Sequence, residues 1–153
     1  MKMLGECEGI IIKVCLAFTD RRIESVRDLY QEIVARLWLG WPRIRHRSHT
    51  TVWVYRVAFN TAMSRYERRP VEVVLINEEH LEALAEEVAD PATERLYELI
   101  DRLDADERRL VLLYLDKVPQ SEMAHTLGLS LRTLQRHLNR IVNKLKTMHY
   151  AEE

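Results

Sequence analysis

Apolar residues recur at Val26, Leu29, Tyr30, Ile33, Val34 and Leu37, the i, i+3, i+4, i+7 rhythm of a helix that turns one face to a core. This predicts a helix over 23–39. Gly40-Trp41-Pro42 ends it, because glycine caps a helix and proline cannot continue one. An apolar-rich stretch predicts an earlier helix over 8–18, with a break at Thr19-Asp20-Arg21. A third predicted helix, over 51–68, turns Trp53, Val54, Val57, Ala58, Thr61 and Ala62 inward. Trp38 and Trp53 both fall on inward faces and are expected to pack in the core. Three helices of this length can enclose a small hydrophobic centre, so residues 1–69 are expected to form a first domain.

The pattern changes after residue 69. Residues 70–90 read as an acidic linker with an apolar run at 71–76 and an amphipathic piece at 78–88, striped by Leu81, Leu84, Ala85 and Val88. That piece either packs as a short helix or serves as a tether. Asp90-Pro91 then opens a second domain, 91–153, because aspartate caps a helix start and proline suits its first position. Leu96, Leu99, Ile100 and Leu103 mark its first helix. Asp104-Ala-Asp-Glu107 has capping-box spacing, and the next helix carries Leu110, Val111, Tyr114 and Leu115. Beyond Pro119 come a short helix, a tight turn at Gly128 and a long helix opening at Ser130. The predicted class is therefore all-α, with two small helical domains joined by an acidic linker.

The last helix has two distinct faces. Leu131, Leu134, Leu138, Ile141, Val142 and Leu145 form an apolar back, opposite Arg132, Thr133, Gln135, Arg136, Asn139, Arg140 and Asn143. A greasy back and a front of long-armed donors suit the major groove of DNA. Arg132, Thr133, Gln135, Arg136 and Arg140 are the groove-facing candidates, since arginine can address guanine and glutamine adenine.

Net charge is −1 over 153 residues, which looks unpromising for a DNA binder until its distribution is considered. Residues 36–69 hold 8 Lys and Arg against 1 acid, residues 72–107 hold 2 against 13, and residues 108–149 hold 8 against 2. Two basic blocks thus flank an acidic middle, and both coincide with candidate binding helices. In the first block, Arg43, Arg45, Arg47, Arg56, Arg65, Arg68 and Arg69 supply phosphate-directed charge, and Asn60 can pair with a base edge.

Other chemistries find little support. Cys7 and Cys15 lack CxxC spacing and fit free thiols in a reducing cytoplasm. No signal peptide is visible, and the longest apolar run is far short of the roughly 20 residues that span a bilayer. His46, His49, His80, His125, His137 and His149 show no metal spacing. Ser121 and Ser130 read as helix-start residues rather than nucleophiles. No cofactor, no small-molecule substrate and no catalytic site is expected.

Four segments, in order, resemble a bacterial RNA polymerase sigma factor of the extracytoplasmic-function type in the sigma-70 family. They are Asp28-Leu-Tyr-Gln-Glu-Ile-Val-Ala-Arg-Leu-Trp38, Val52-Trp-Val-Tyr-Arg-Val-Ala-Phe-Asn60, Leu103-Asp-Ala-Asp-Glu-Arg-Arg-Leu-Val-Leu-Leu113, and Glu122-Met-Ala124 with Leu127-Gly-Leu-Ser130. Each is weak alone; their order and spacing are specific. The resemblance spans nearly everything from Ile10 to Tyr150. It implies that residues 1–69 are region 2, binding core polymerase and the minus-ten element, and that 91–153 are region 4, binding the minus-thirty-five element.

The implied partners are core RNA polymerase, through its β′ clamp helices and β flap, promoter DNA, and an anti-sigma factor that is often membrane-anchored. Asp28, Gln31 and Glu32 form a polar patch expected to face outward onto the β′ clamp, so Glu32→Lys is expected to abolish binding while sparing the fold. On the minus-ten side the resemblance selects Arg45, His46, Arg47, Arg56, Asn60 and Arg65, with the loop 45–49 as the flipped-base pocket. In the family the linker threads the polymerase channels; equally, its carboxylates could mask the basic domains. A helix-turn-helix regulator acting without polymerase would account for 120–150 but not for the first domain. A sigma mimic that sequesters an anti-sigma factor has no use for Arg132, Arg136 and Arg140.

Overall fold

A computed structural model of the chain describes residues 2–41, 50–64 and 90–151. Among these residues there are seven α-helices and no strand, as the all-α reading requires. They are α1 (Lys2–Ala17), α2 (Ile23–Gly40), α3 (Thr50–Ser64), α4 (Pro91–Ile100), α5 (Ala105–Leu115), α6 (Gln120–Leu127) and α7 (Leu131–Ala151). The described residues fall into two compact units divided between Glu94 and Arg95. The predicted linker, apart from its last residue, and the end of the third predicted helix lie outside the described residues.

In the first unit α1, α2 and α3 each pack on the other two. The apolar stripe read from α2 is the buried face: Val26, Leu29, Tyr30, Ile33, Val34 and Leu37 are all inside, joined by Ala35. Ile11, Val14, Cys15 and Leu16 from α1 and Val54, Tyr55 and Ala58 from α3 are buried as well. Phe59 links the layers, edge-on to Phe18 at 6.3 Å and against Tyr55 at 5.4 Å. The buried Thr61 hydroxyl is satisfied by donating to the Val57 carbonyl at 2.6 Å. Burial also pushes the Tyr30 hydroxyl well above its ordinary pKa. Both cysteines are buried thiols.

Helix α1 begins at Lys2, earlier than the predicted residue 8. It ends where expected. Thr19 Oγ1 donates back to the Cys15 carbonyl at 2.7 Å and accepts from the Arg21 N–H, while Arg21 sits at φ 64°. Asp20 then accepts from the Arg22 N–H at 3.1 Å, just before α2. That bond is the main reason its carboxyl is held below the ordinary 3.8. The stabilising contribution is therefore present above the ordinary pKa and lost as pH falls through the lower folded value.

Local signals that the sequence displays openly start α4, which straddles the division between the units, and α5, which lies in the second unit. Asp90 accepts from the Ala92 N–H at 3.1 Å and from the Thr93 hydroxyl at 3.0 Å, with Pro91 first in α4. Asp104 and Glu107 form a complete capping box, with bonds of 2.8 and 3.0 Å. The core of the second unit comprises Tyr97, Leu99, Ile100, Leu103, Leu110, Val111, Leu112, Leu113, Met123, Ala124, Leu134, Leu138 and Ile141. Several predicted core positions are instead exposed: Leu96, Tyr114, Leu115 and Leu131. The run from 110 to 115 is apolar at every position, so no period marks which side turns in, and packing buries its first four residues.

Two turns in this unit share one geometry. After α5, Lys117 adopts φ 57° and the N–H groups of Lys117 and Val118 bond back to Tyr114 and Leu113. After α6, Gly128 adopts φ 68°, and Gly128 and Leu129 bond back to His125 and Ala124. Both are Schellman closures, whose left-handed residue favours glycine. A methyl group on Gly128 would meet nothing within 4 Å, so only backbone strain opposes Gly128→Ala. That strain is about 1–2 kcal/mol. A fall of several degrees in the melting temperature of the second unit is the expected result, measured by circular dichroism.

Candidate nucleic-acid and polymerase interfaces

Helix α7 owes its direction to the cap before it. Ser130 Oγ accepts from the Thr133 N–H at 3.2 Å and donates to Thr133 Oγ1 at 2.9 Å, while the Ser130 carbonyl accepts from Leu134 N–H. Leu134, Leu138 and Ile141 bury the back of the helix against α5 and α6. Arg132, Gln135, Arg136, Asn139 and Asn143 are exposed along the opposite stripe. Four of the five candidates on this helix, Arg132, Gln135, Arg136 and Arg140, are thus exposed. Thr133 is half-buried, and its hydroxyl serves the cap.

Arg140 belongs to a different edge from the other exposed arginines. With His137 it lines a cavity of about 280 Å³ beside Asp104, Asp106, Glu107 and Arg109 at the start of α5. One turn further on, Lys144 Nζ lies 3.3 Å from Glu107 Oε1. This flank of α7 is thereby tied to an acidic helix start, where carboxylates already favour the helix dipole. The stripe of Arg132, Gln135, Arg136, Asn139 and Asn143 remains the face available to a duplex.

In the first unit, Arg56 and Asn60 lie exposed one turn apart on α3. Arg45, His46 and Arg47 from the predicted pocket loop, and Arg65, lie outside the described residues. The tryptophans depart from expectation. Trp38 is 57% exposed, and Trp53 is only half-buried. Trp53 lies on the same side of α3 as Arg56 and Asn60, at i+3 and i+7 spacing. It packs against Trp41, ring centroids 6.2 Å apart and tilted 45°. Gly40 permits this: an added Cβ would lie 2.9 Å from the Trp53 ring. A half-exposed pair of rings beside an arginine and an asparagine offers stacking surface with polar groups at its edge.

The outer face of α2 departs in part as well. Asp28 is exposed and Gln31 partly so. Glu32, however, is tucked in: its side chain is 10% exposed and bonds Arg36 Nη2 at 3.2 Å. Glu32→Lys would break a largely covered ion pair and set two cations together, so it cannot be the clean surface change that the sequence implied. What the sequence missed on this face is apolar. Trp38 and Leu39, 57% and 69% exposed, project from the last turns of α2.

Among the described residues no group of three or more His, Cys, Asp or Glu could hold a metal ion. No described helix is long and apolar enough to cross a membrane. Comparison with known families gives two matches. The description Sigma-70 region 2 matches residues 5–70, and the description Sigma-70, region 4 matches residues 93–145. No curated protein matches the chain.

Proposed function

We propose that the chain, which belongs to the sigma-70 family through both of its helical units, binds core RNA polymerase and directs it to start transcription at promoters of the type read by extracytoplasmic-function sigma factors. The observation that carries this reading is the exposed stripe of α7, set on a capped helix-turn-helix, in a chain that also carries region 2. A regulator acting without polymerase has no need of the second feature.

The residue roles follow from exposure and chemistry. Arg132, Gln135 and Arg136 read base edges of the minus-thirty-five element in the major groove. Arg140 and Thr133 play lesser parts, the first approaching phosphate from its flank and the second holding the helix start. On the minus-ten side, Arg56 and Asn60 act with the Trp41–Trp53 rings on single-stranded bases of the opened promoter, joined by Arg45, His46, Arg47 and Arg65. Domain roles follow the same division: 1–69 for polymerase and minus-ten, 91–153 for minus-thirty-five, with 70–90 between them. The chemistry of RNA synthesis belongs to polymerase. An anti-sigma factor is the restraining partner that the family implies, working where the chain works, in the cytoplasm.

Polymerase docking is assigned to the outer face of α2: Asp28 and Gln31, extended by Trp38 and Leu39. Exposed tryptophans are frequent anchors of protein interfaces, where truncation costs about 2 kcal/mol or more. Trp38→Ala is therefore expected to weaken binding to core polymerase about thirtyfold, and Asp28→Arg to weaken it measurably, with melting temperature unchanged in both. Titration of labelled chain against purified core tests this. Wild-type affinity in both variants would remove α2 from the interface.

A further inference from the structure

Gln120 begins α6 and Gln135 lies on the outward stripe of α7, fifteen residues later, yet their side chains meet. Gln135 Nε2 donates to Gln120 Oε1 at 3.0 Å, and both residues are exposed. A glutamine amide carries two N–H donors and one carbonyl acceptor. The bond to Gln120 needs only one donor of Gln135; given by the N–H trans to the carbonyl, it leaves the carbonyl beside the other N–H. That acceptor–donor pair matches the N6–H donor and N7 acceptor of adenine in the major groove; guanine, with two acceptors there, leaves the carbonyl unmatched. A lone glutamine samples many rotamers, and ordering one on binding subtracts from affinity. Here the amide is already held from the neighbouring helix.

We propose that Gln120 is a positioning residue for sequence reading: it holds the amide of Gln135 so that Gln135 recognises one adenine of the upstream promoter element. This rests on the duplex-reading role proposed for α7. Gln120 need not touch a base. Its contribution is to fix the plane of an amide flanked by Arg132 and Arg136, so that the adenine contact and the arginine contacts share one register.

The test uses core polymerase loaded with the full chain, on templates randomised across the upstream element, with transcripts sequenced to give base preference at each position. Wild type is expected to favour A·T about tenfold at one position. Gln135→Ala and Gln120→Leu are both expected to bring that position to within about twofold of parity and to leave the other positions unchanged. Gln120→Glu keeps an acceptor oxygen for Gln135. It should keep the preference while lowering output evenly over all templates, because its charge repels phosphate. Preferences in the Gln120→Leu variant identical to wild type would overturn the inference, as would a loss spread evenly over positions. A wild-type chain that shows no preference anywhere in the upstream element overturns the duplex-reading role of α7, and this inference with it.

Discussion

Replacing Arg132 and Arg136 together with alanine is expected to cut initiation at a cognate promoter by a factor between about 30 and 10⁴, with core-polymerase affinity unchanged. A good bidentate contact between arginine and guanine is worth about 1–3 kcal/mol, and each 1.4 kcal/mol is roughly tenfold. The two residues sit one turn apart on the exposed stripe of α7. Neighbours of this kind rarely add perfectly, which favours the lower half of the range. Neither side chain lies in the buried core, so the effect on folding should stay within about 0.5 kcal/mol. Single-round transcription on a cognate and a scrambled upstream element gives the readout. Loss on the cognate template alone identifies base readers. Equal loss on both identifies phosphate contacts, whose energy is sequence-blind and salt-dependent.

Leu134→Ala is expected to destabilise the second unit strongly while leaving the first intact. Leu134 is fully buried where α7 packs on α5 and α6. Leucine-to-alanine changes at such sites cost about 2–5 kcal/mol. A helical unit of this size has only about 3–9 kcal/mol in hand, at roughly 0.05–0.15 kcal/mol per residue. The chain supplies its own reporter, since Trp38, Trp41 and Trp53 all belong to the first unit. Tryptophan emission in Leu134→Ala should therefore keep its native transition while part of the far-ultraviolet circular dichroism signal melts at a lower temperature than in the wild type. A single coincident loss in both signals would mean that the two cores do not fold independently.

What the sequence displayed and what it concealed divide along physical lines. Signals contained within a few residues were legible: the Asp90-Pro91 start, the Asp104–Glu107 capping box, the left-handed Gly128 and the Ser130 cap all sit where local chemistry requires. The stripe of α2 was legible because its apolar residues follow one period without ambiguity. The run from 110 to 115 was not, because every position is apolar and only packing chooses among them. Trp38 differs from expectation because, although it adjoins the apolar stripe of α2, it lies at the edge of that stripe next to the buried Leu37 and stays exposed. Glu32 departs in the opposite sense: a charged residue expected to face outward folds onto Arg36. Asp28, Trp38 and Leu39 are exposed on this face of α2 and Gln31 partly so. The link between Gln120 and Gln135 depends on how two helices cross, which no period in the chain encodes.

Promoter-directed initiation is tested most directly by mapping transcript starts. Purified core RNA polymerase, inactive on its own at specific sites, is mixed with the full chain and fragmented genomic template, and RNA 5′ ends are sequenced. The account predicts a discrete set of starts that appears only with the chain, each preceded by two conserved elements at fixed separation, and that disappears in the Arg132→Ala, Arg136→Ala double variant. Starts scattered as with core alone, despite a folded chain, would contradict it.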